Sequence, residues 1–251
     1  SNIDIAYTMQ TRGIDASLEG GILSPDGVYR NLNVQVAHGD NVNRVSKAII
    51  QLNNSNGENP SFQWVNGDVC SVNSDGGGLV SFDVANCTSV EGIDGRLTIS
   101  VPVEVMWEWD DEPSTEALIT VEDPLGVQVN AWETEDFGLK VENDIQLDAL
   151  RVMDEDGRQL FVGDWMRGGN NLSFTGQIHF QDSSLSPLAG QFDIRVLGQN
   201  VTYDGDPIGE PTILAQEANP GFGAYNITFQ SPIESAPGGM VFYVEAVNLP
   251  N

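Results

Sequence analysis

The sequence predicts an all-β protein built from antiparallel β-sandwiches, and three observations support this prediction. Apolar residues alternate with polar residues along many short segments, as in strands that bury one face. Asp-Gly, Asn-Gly and Pro-Gly pairs, which form turns readily, separate these segments. No window carries a sustained helical stripe with caps, so we expect helix only in short turns.

In the first half of the chain, the clearest strand pattern extends over residues 101–109. Its apolar positions include Trp107 and Trp109, so the pattern predicts that both tryptophans lie in the core. Residues 42–52 come closest to a helical pattern, but the end of this segment, residues 48–52, fits a strand equally well. In the second half, the same alternation predicts strands at residues 145–153, 172–180, 192–196, 225–229 and 240–246.

A boundary between two domains is predicted near Asn143. Residues 137–141 have the pattern of a closing strand, and a new strand begins at Ile145. The predicted domains are therefore residues 1–143 and residues 144–251. The second has the size of an immunoglobulin-like sandwich, and the first is larger because it contains the cysteine loop and nearby insertions. We therefore predict two tandem immunoglobulin-like antiparallel β-sandwich domains.

Acidic side chains dominate the composition: 37 Asp and Glu residues stand against 10 Lys and Arg residues, for a net charge of −27. The resulting field repels nucleic acid and anionic lipid, so neither is an expected partner. The acids are scattered, which indicates a solvated acidic surface suited to salty water, as in marine or halophilic organisms. No apolar run approaches the ~20 residues of a membrane helix, so we expect no direct membrane insertion.

The chain contains two cysteines, Cys70 and Cys87. We favour a disulfide between them, because the polar, glycine-rich residues 71–86 are expected to fold back as a hairpin that brings both ends together. Such bonds persist outside the cytosol. The alternative is two independent buried thiols. Metal binding by these cysteines is not expected, since there is no Cys-x-x-Cys motif and the histidines, His38 and His179, are far away in sequence.

A resemblance to a known group of proteins rests on residues 163–169, which have the sequence GDWMRGG. They follow an Asp-Gly turn at residues 154–157 and precede the alternating strand at residues 172–180. In these features residues 137–230 resemble the tandem immunoglobulin-like modules of large secreted or surface proteins of marine archaea. The resemblance implies that fold, an extracellular or cell-surface location and a structural or adhesive role beside neighbouring domains or surface partners. It implies no catalytic residue.

Three acidic pairs are candidates for weak calcium binding, and they consist of Asp110 with Asp111, Asp154 with Asp156, and Asp204 with Asp206. None is accompanied by the six ligand positions and closing Glu of an EF-hand loop. The alternative interpretation is an acidic turn for the first pair and Asp-Gly turns for the other two. No other cofactor is expected.

Enzyme chemistry has little support in the sequence. His179 falls on the polar face of a predicted strand, His38 lies in a His-Gly-Asp turn, and neither is near a Gly-x-Ser-x-Gly motif. With 37 acids, some pair of carboxylates is inevitable and indicates nothing specific. We therefore expect no catalytic residue.

The expected function is a non-catalytic extracellular structural or adhesive module within a larger multi-domain surface or secreted protein. The alternative is a carbohydrate- or other ligand-binding module whose stacking residue is an exposed tryptophan, and the candidates are Trp107, Trp109, Trp132 and Trp165. Exposed, coplanar rings would favour sugar binding, whereas buried rings favour a scaffold. Five glycosylation sequons fit an extracellular setting, and they begin at Asn53, Asn86, Asn171, Asn200 and Asn226.

The charge imbalance predicts that added salt stabilises the protein. At neutral pH the carboxylates repel one another, and the Debye length falls from ~30 Å at 0.01 M to ~3 Å at 1 M ionic strength. We expect the melting temperature to rise steadily between dilute buffer and molar sodium chloride. A melting temperature that stays flat or falls over this range would contradict the prediction.

Overall fold

The structure is a computed structural model, and it describes residues 14–37, 45–67, 69–92, 96–110, 112–133, 139–164, 166–181, 185–218, 223–233 and 238–248. Over these ranges the chain forms twenty β-strands and one 3-10 turn at Val84–Asn86, with no α-helix. The predicted all-β fold class is confirmed. The chain divides into two units, Ser1–Asn143 and Asp144–Asn251. No described helix is long and apolar enough to cross a membrane.

Unit 1 contains thirteen described strands. In chain order they are β1 Ile14–Leu18, β2 Ile22–Leu23, β3 Arg30–Ala37, β4 Lys47–Leu52, β5 Ser61–Val65, β6 Val69–Ser74, β7 Val80–Phe82, β8 Thr88–Glu91, β9 Arg96–Val105, β10 Glu112–Thr115, β11 Ala117–Glu122, β12 Gln128–Glu133 and β13 Leu139–Val141. One sheet has the order β1-β3-β9-β7, with β8 also paired to β9, and a second has the order β12-β11-β4-β5-β6. A small sheet, β10-β13-β2, includes a parallel β13–β2 pair.

The core of unit 1 lies between its two five-stranded sheets. Every second residue of β9 is buried, from Leu97 to Val105, and β4 shows the same alternation. Phe62 of β5 and Phe82 of β7 belong to different sheets, and their ring centroids are 5.4 Å apart. The apolar faces that the sequence alternation predicts are therefore packed against each other.

The predicted strand at residues 101–109 is too long, because β9 ends at Val105. The last residues of β9 pair with β7, and the backbone N–H of Met106 donates to the carbonyl of Leu79 (2.9 Å). After that bond the chain turns, and the side-chain amide of Asn143 donates to the carbonyls of Trp107 (3.2 Å) and Trp109 (2.6 Å). Trp109 is fully buried as predicted, but it reaches the core from a turn and not from the strand.

The predicted disulfide between Cys70 and Cys87 is confirmed, with 6.3 Å between the two Cα atoms. The predicted hairpin between them is wrong. Cys70 lies in β6, which pairs with β5, whereas the segment that follows enters β7, which pairs with β9 in the facing sheet. The bond therefore joins the edge of one sheet to the residue that precedes β8 in the other, because the intervening segment crosses between sheets.

Unit 2 contains seven described strands in two antiparallel sheets. They are β14 Ile145–Asp154, β15 Gln159–Leu160, β16 Asn171–Phe180, β17 Phe192–Val201, β18 Pro207–Ala218, β19 Ala224–Gln230 and β20 Met240–Asn248. The sheet orders are β15-β14-β16-β19 and β18-β17-β20. Phe174 of β16 packs against Phe229 of β19 (5.4 Å between centroids) and against Phe242 of β20 (5.6 Å), so the core fills the space between the sheets.

Removal of the disulfide should destabilise unit 1. The bond closes a loop with a sequence separation of 17, for which the chain-entropy model gives about 3 kcal/mol. We expect Cys70→Ala with Cys87→Ala to lower the unfolding free energy of unit 1 by about this amount. Urea denaturation followed by tryptophan fluorescence reports mainly on unit 1, which holds four of the five tryptophans.

Reduction of the wild-type protein is the control for this experiment. The reductant should lower the unfolding free energy of the wild type by the same amount and leave that of the double variant unchanged. A double variant that unfolds at the same urea concentration as the wild type would show that the bond does not restrict the unfolded chain.

Candidate functional site at the loop end of the second unit

The strand registers place several loops of unit 2 together. Asp154 at the end of β14 faces Leu172 near the start of β16, and Asn171 faces Gln230 at the end of β19. In the other sheet, the end of β17 faces the start of β20. We call the loops at these strand ends the loop end, and it comprises the described parts of residues 155–158, 161–170, 202–206 and 231–239.

Backbone contacts hold three of these loops together. The N–H of Gly169 donates to the carbonyl (3.1 Å) and the hydroxyl (3.0 Å) of Ser231. At Gly168 a Cβ atom would lie 2.7 Å from the carbonyl oxygen of Ile233, so only glycine allows this close approach. On the other side, the N–H of Val201 at the end of β17 donates to the carbonyl of Gly239 (3.1 Å), and a Cβ atom at Gly238 would overlap the carbonyl group of Thr202 in the adjoining loop. The loop that joins β19 to β20 therefore bridges residues of both sheets.

Large apolar side chains of the loop end are exposed to solvent. The exposed fractions are 67% for Phe161, 108% for Val162, 82% for Tyr203 and 81% for Ile233. A scattered apolar residue on a protein surface needs no explanation, but several on adjoining loops are typical of a contact surface. Loops carried by a rigid scaffold are also where binding residues concentrate.

The acidic groups of the loop end shape its turns. Asp154 accepts hydrogen bonds from the N–H groups of Asp156 (3.1 Å) and Arg158 (2.8 Å), and from the guanidinium of Arg158 (3.1 Å). The hydrogen bond from the Arg158 backbone holds the pKa of Asp154 below its ordinary value, and the side chain adds to this effect. Asp164 accepts from the N–H of Phe161 (2.9 Å), which fixes the turn that carries this exposed ring.

The calcium candidates do not come together as a site in the described part of the chain, where no group of three possible ligands is found. Asp154 and Asp156 belong to the turn just described. The turn that contains Asp204 is closed by hydrogen bonds between Thr202 and Asp206. Asp110 is exposed and accepts from the amide of Asn56 (3.4 Å), and Asp111 lies outside the described residues.

The described tryptophans do not form a flat exposed pair. Trp64 and Trp109 are buried, and Trp107 is half-buried. The side chains of Trp132 and Trp165 lie outside the described residues. A stacking platform built from Trp107 and Trp109 is therefore wrong, because Trp109 is enclosed in the core of unit 1.

The exposed aromatic rings of the loop end were missed by the sequence analysis. They are Phe161 and Tyr203, and each stands beside a turn that contains glycine, in Phe-Val-Gly and Tyr-Asp-Gly. Period-two alternation is informative only within strands, so it says nothing about these positions. A large aromatic residue directly before a turn is the local signal that could have identified them.

His179 forms a pair with Asp148 across β14 and β16. Its Nε2 atom lies 2.8 Å from Oδ2 of Asp148, and its Nδ1 atom lies 2.8 Å from the carbonyl oxygen of Phe180. The amide of Gln146 donates to the other oxygen of Asp148 (2.9 Å). These bonds, that of His179 first, lower the pKa of Asp148. The second histidine, His38, lies outside the described residues.

The sequon asparagines differ in exposure. Asn86, Asn171 and Asn226 are exposed, whereas Asn53 and Asn200 are half-buried. The amide of Asn86 donates to Asp83 (2.6 Å), and the amide of Asn53 donates to Glu116 (3.3 Å). The exposed asparagines have the access to solvent that a glycan requires.

Comparisons with known proteins identify no family. No protein-family model matches the sequence, and no curated protein matches it. Among solved structures, the chain is similar to dimeric latent PorU from Porphyromonas gingivalis, at 14% identity and a TM-score of 0.30 over 97% of this chain. It spans only 20% of the length of the PorU chain.

A second solved structure is the SGBP-B protein of the Bacteroides ovatus mixed-linkage glucan utilization locus, in complex with a mixed-linkage heptasaccharide. It is 11% identical with a TM-score of 0.19, and the match covers 91% of this chain and 70% of that one. At these TM-scores neither likeness carries an argument about this protein.

The pair of His179 and Asp148 should stabilise unit 2 in its ionised form. A carboxyl whose pKa is lowered on folding contributes stability above its ordinary pKa of 3.8, and this contribution is lost as the pH falls through the lowered value. We expect His179→Ala to raise the pKa of Asp148, as followed by NMR titration of its side-chain carboxyl. Gln146→Ala is the matched variant and should raise it less. If both variants raised the pKa of Asp148 equally, or if neither changed it, this assignment would be contradicted.

Proposed function

We propose that this chain is a non-catalytic extracellular or cell-surface module with a structural and adhesive role in a larger multi-domain protein. Its contact surface is the loop end of unit 2. The observation that carries this proposal is the exposure of Phe161, Val162, Tyr203 and Ile233 on loops joined by backbone contacts. Neighbouring domains or surface partners are the expected ligands, and nucleic acid is not.

The energetics of the loop end support a role in binding. Burial of a large apolar side chain contributes about 1.5–3 kcal/mol, so a few such residues supply most of the affinity of a moderate complex. Three of the loops are held by contacts such as those of Gly169 with Ser231, so little conformational freedom is lost when a partner binds.

Charge and redox chemistry support the proposed setting. A net charge of −27 repels acidic partners and copies of the same chain, which favours a neutral or basic contact surface on the partner. The bond between Cys70 and Cys87 belongs to the class that persists outside the reducing cytosol.

A carbohydrate-binding module is the second candidate. Its stacking residues would be Phe161 and Tyr203, because both rings are exposed and a sugar face stacks on an aromatic ring. Asp164 and Asp204 follow these rings closely in sequence and supply hydrogen-bond acceptors for sugar hydroxyls.

The test compares two triple variants. The first, F161S with Y203S and I233S, removes apolar side chains from the loop end. The matched control, V69S with V90S and L125S, removes comparably exposed side chains from unit 1. Binding of the labelled chain is measured on a glycan array and on an array of purified extracellular proteins. The loop-end variant should bind its target at least about tenfold more weakly, since each anchoring side chain contributes more than about 1 kcal/mol. The control should match the wild type.

The arrays separate the two candidates. Loss of binding on the protein array supports the adhesive module, and loss on the glycan array supports the carbohydrate-binding module. Binding that both triple variants retain, or lose equally, would refute the loop end as the contact surface.

A further inference from the structure

Two Asn-Gly pairs lie in loops of unit 1, Asn56-Gly57 between β4 and β5 and Asn66-Gly67 between β5 and β6. In such a pair the main-chain nitrogen of glycine can attack the side-chain amide of asparagine, because glycine has no Cβ atom to hinder the approach. Both reacting groups belong to one chain, so their orientation and mobility control the rate. The two pairs contain the same reacting groups, and the fold decides how readily each reacts.

The loop of Asn56 holds both reacting groups in hydrogen bonds. The N–H of Gly57, whose nitrogen is the nucleophile, donates to the carbonyl of Asn54 (2.9 Å). The side-chain amide of Asn56, which is the leaving group, donates to the carboxylate of Asp110 (3.4 Å). Attack requires both bonds to break, and the loss of each one slows the reaction.

The same loop is anchored to buried groups. Asn54 is buried, and its side-chain oxygen accepts from the N–H of Asn56 (2.6 Å). The N–H of Ser55 donates to the buried carboxylate of Glu112 (2.7 Å). The negative charge of Asp110 also opposes the negative charge that develops on the amide oxygen of Asn56 during attack. The fold therefore keeps Asn56 in an unreactive arrangement.

The second pair lacks these restraints. Asn66 and Gly67 are exposed, and among the described residues no hydrogen bond engages the N–H of Gly67 or the side-chain amide of Asn66. The N–H of Asn66 donates to the carbonyl of Ser46 (2.9 Å). The nitrogen of Gly67 approaches the amide by rotation about the Cα–C bond of Asn66, and the bond to Ser46 lies on the other side of that Cα atom. Nucleophile and leaving group are therefore both available at Asn66.

We propose that Asn66 is a site of spontaneous deamidation in the folded protein, and that Asn56 is protected by its loop. The nitrogen of Gly67 forms a bond to Cγ of Asn66, the Cγ–Nδ2 bond breaks, and the amide leaves as ammonia with the proton of the Gly67 N–H. Water then opens the succinimide at one of its two carbonyls. The products are aspartate and isoaspartate, and each carries one new carboxylate. This proposal concerns unit 1 and does not rest on the proposed function.

The modification changes the turn between β5 and β6. These strands close the turn through the pair of Val65 and Val69, and isoaspartate adds one methylene to the main chain beside it. Strand β6 is the last strand of its sheet, but its Cys70 is joined to Cys87 in the other sheet, so the disulfide retains it in the modified chain. Modified molecules therefore stay folded, and their fraction records the time since the chain folded.

The first test follows both asparagines in one sample of the wild-type protein. The protein is incubated at mildly alkaline pH, and digestion with mass spectrometry gives the fraction converted at each site. We expect Asn66 to convert at least about tenfold faster than Asn56, because two hydrogen bonds must break at Asn56 and none at Asn66. In the reduced chain unfolded in guanidinium chloride, the two rates should approach each other.

Two matched variants locate the isoaspartate independently. Asn66→Gln and Asn56→Gln both replace an exposed residue and keep the side-chain amide, but glutamine places it one methylene further from the main chain. Isoaspartate is detected with an isoaspartyl methyltransferase and a labelled methyl donor. The label should fall to a small fraction of the wild-type value in Asn66→Gln and stay unchanged in Asn56→Gln.

Three results would overturn the proposal. The first is equal conversion of the two asparagines in the folded protein, or faster conversion of Asn56. The second is a preference for Asn66 that persists at the same size in the unfolded chain, since the local sequence and not the fold would then decide the rate. The third is full labelling of Asn66→Gln. The first two results come from the wild-type chain, so they do not depend on the folding of the variants.

Discussion

The structure depends on the burial of one face of each sheet in a chain that carries a strong negative charge. Strand β9 shows how this is achieved: it pairs with β3 along one edge and with β7 and β8 along the other, and its alternate residues are buried. Each buried aliphatic side chain contributes about 1.5–3 kcal/mol, which offsets the repulsion among carboxylates on the outer faces. The disulfide joins the same two sheets that pack against each other through these buried faces.

Several carboxylates are partly or fully buried, and they are used to build local structure. Asp26 is buried and receives two hydrogen bonds from the guanidinium of Arg30 (2.9 and 2.6 Å). Asp123, also buried, accepts from the N–H groups of Leu125 (2.8 Å) and Val127 (2.9 Å) in the turn between β11 and β12. Charge-assisted bonds of this kind stabilise turns more strongly than neutral ones. The Asp-Gly turn at residues 154–157 is held in the same way, because the carboxylate of Asp154 accepts from the N–H groups of Asp156 and Arg158.

The way the core of unit 2 is built determines which of its apolar groups reach the solvent. The inward faces of β16, β17 and β19 are buried, so their apolar side chains form the core that joins the two sheets. The loop end, by contrast, exposes Phe161, Val162, Tyr203 and Ile233 at the ends of these strands.

Features that depend on local geometry could be predicted from the sequence. The alternation of residues 172–180 predicted β16 and its buried face, because successive side chains of a strand point to opposite sides. The pairing of Cys70 with Cys87 was also predictable, since these are the two cysteines of the chain. Other features became visible only in the folded chain: where β9 ends, how the cysteine segment crosses between sheets, and that Phe161, Tyr203 and Ile233 belong to one end of unit 2. These features depend on the register between strands that are distant in sequence, which no local pattern encodes.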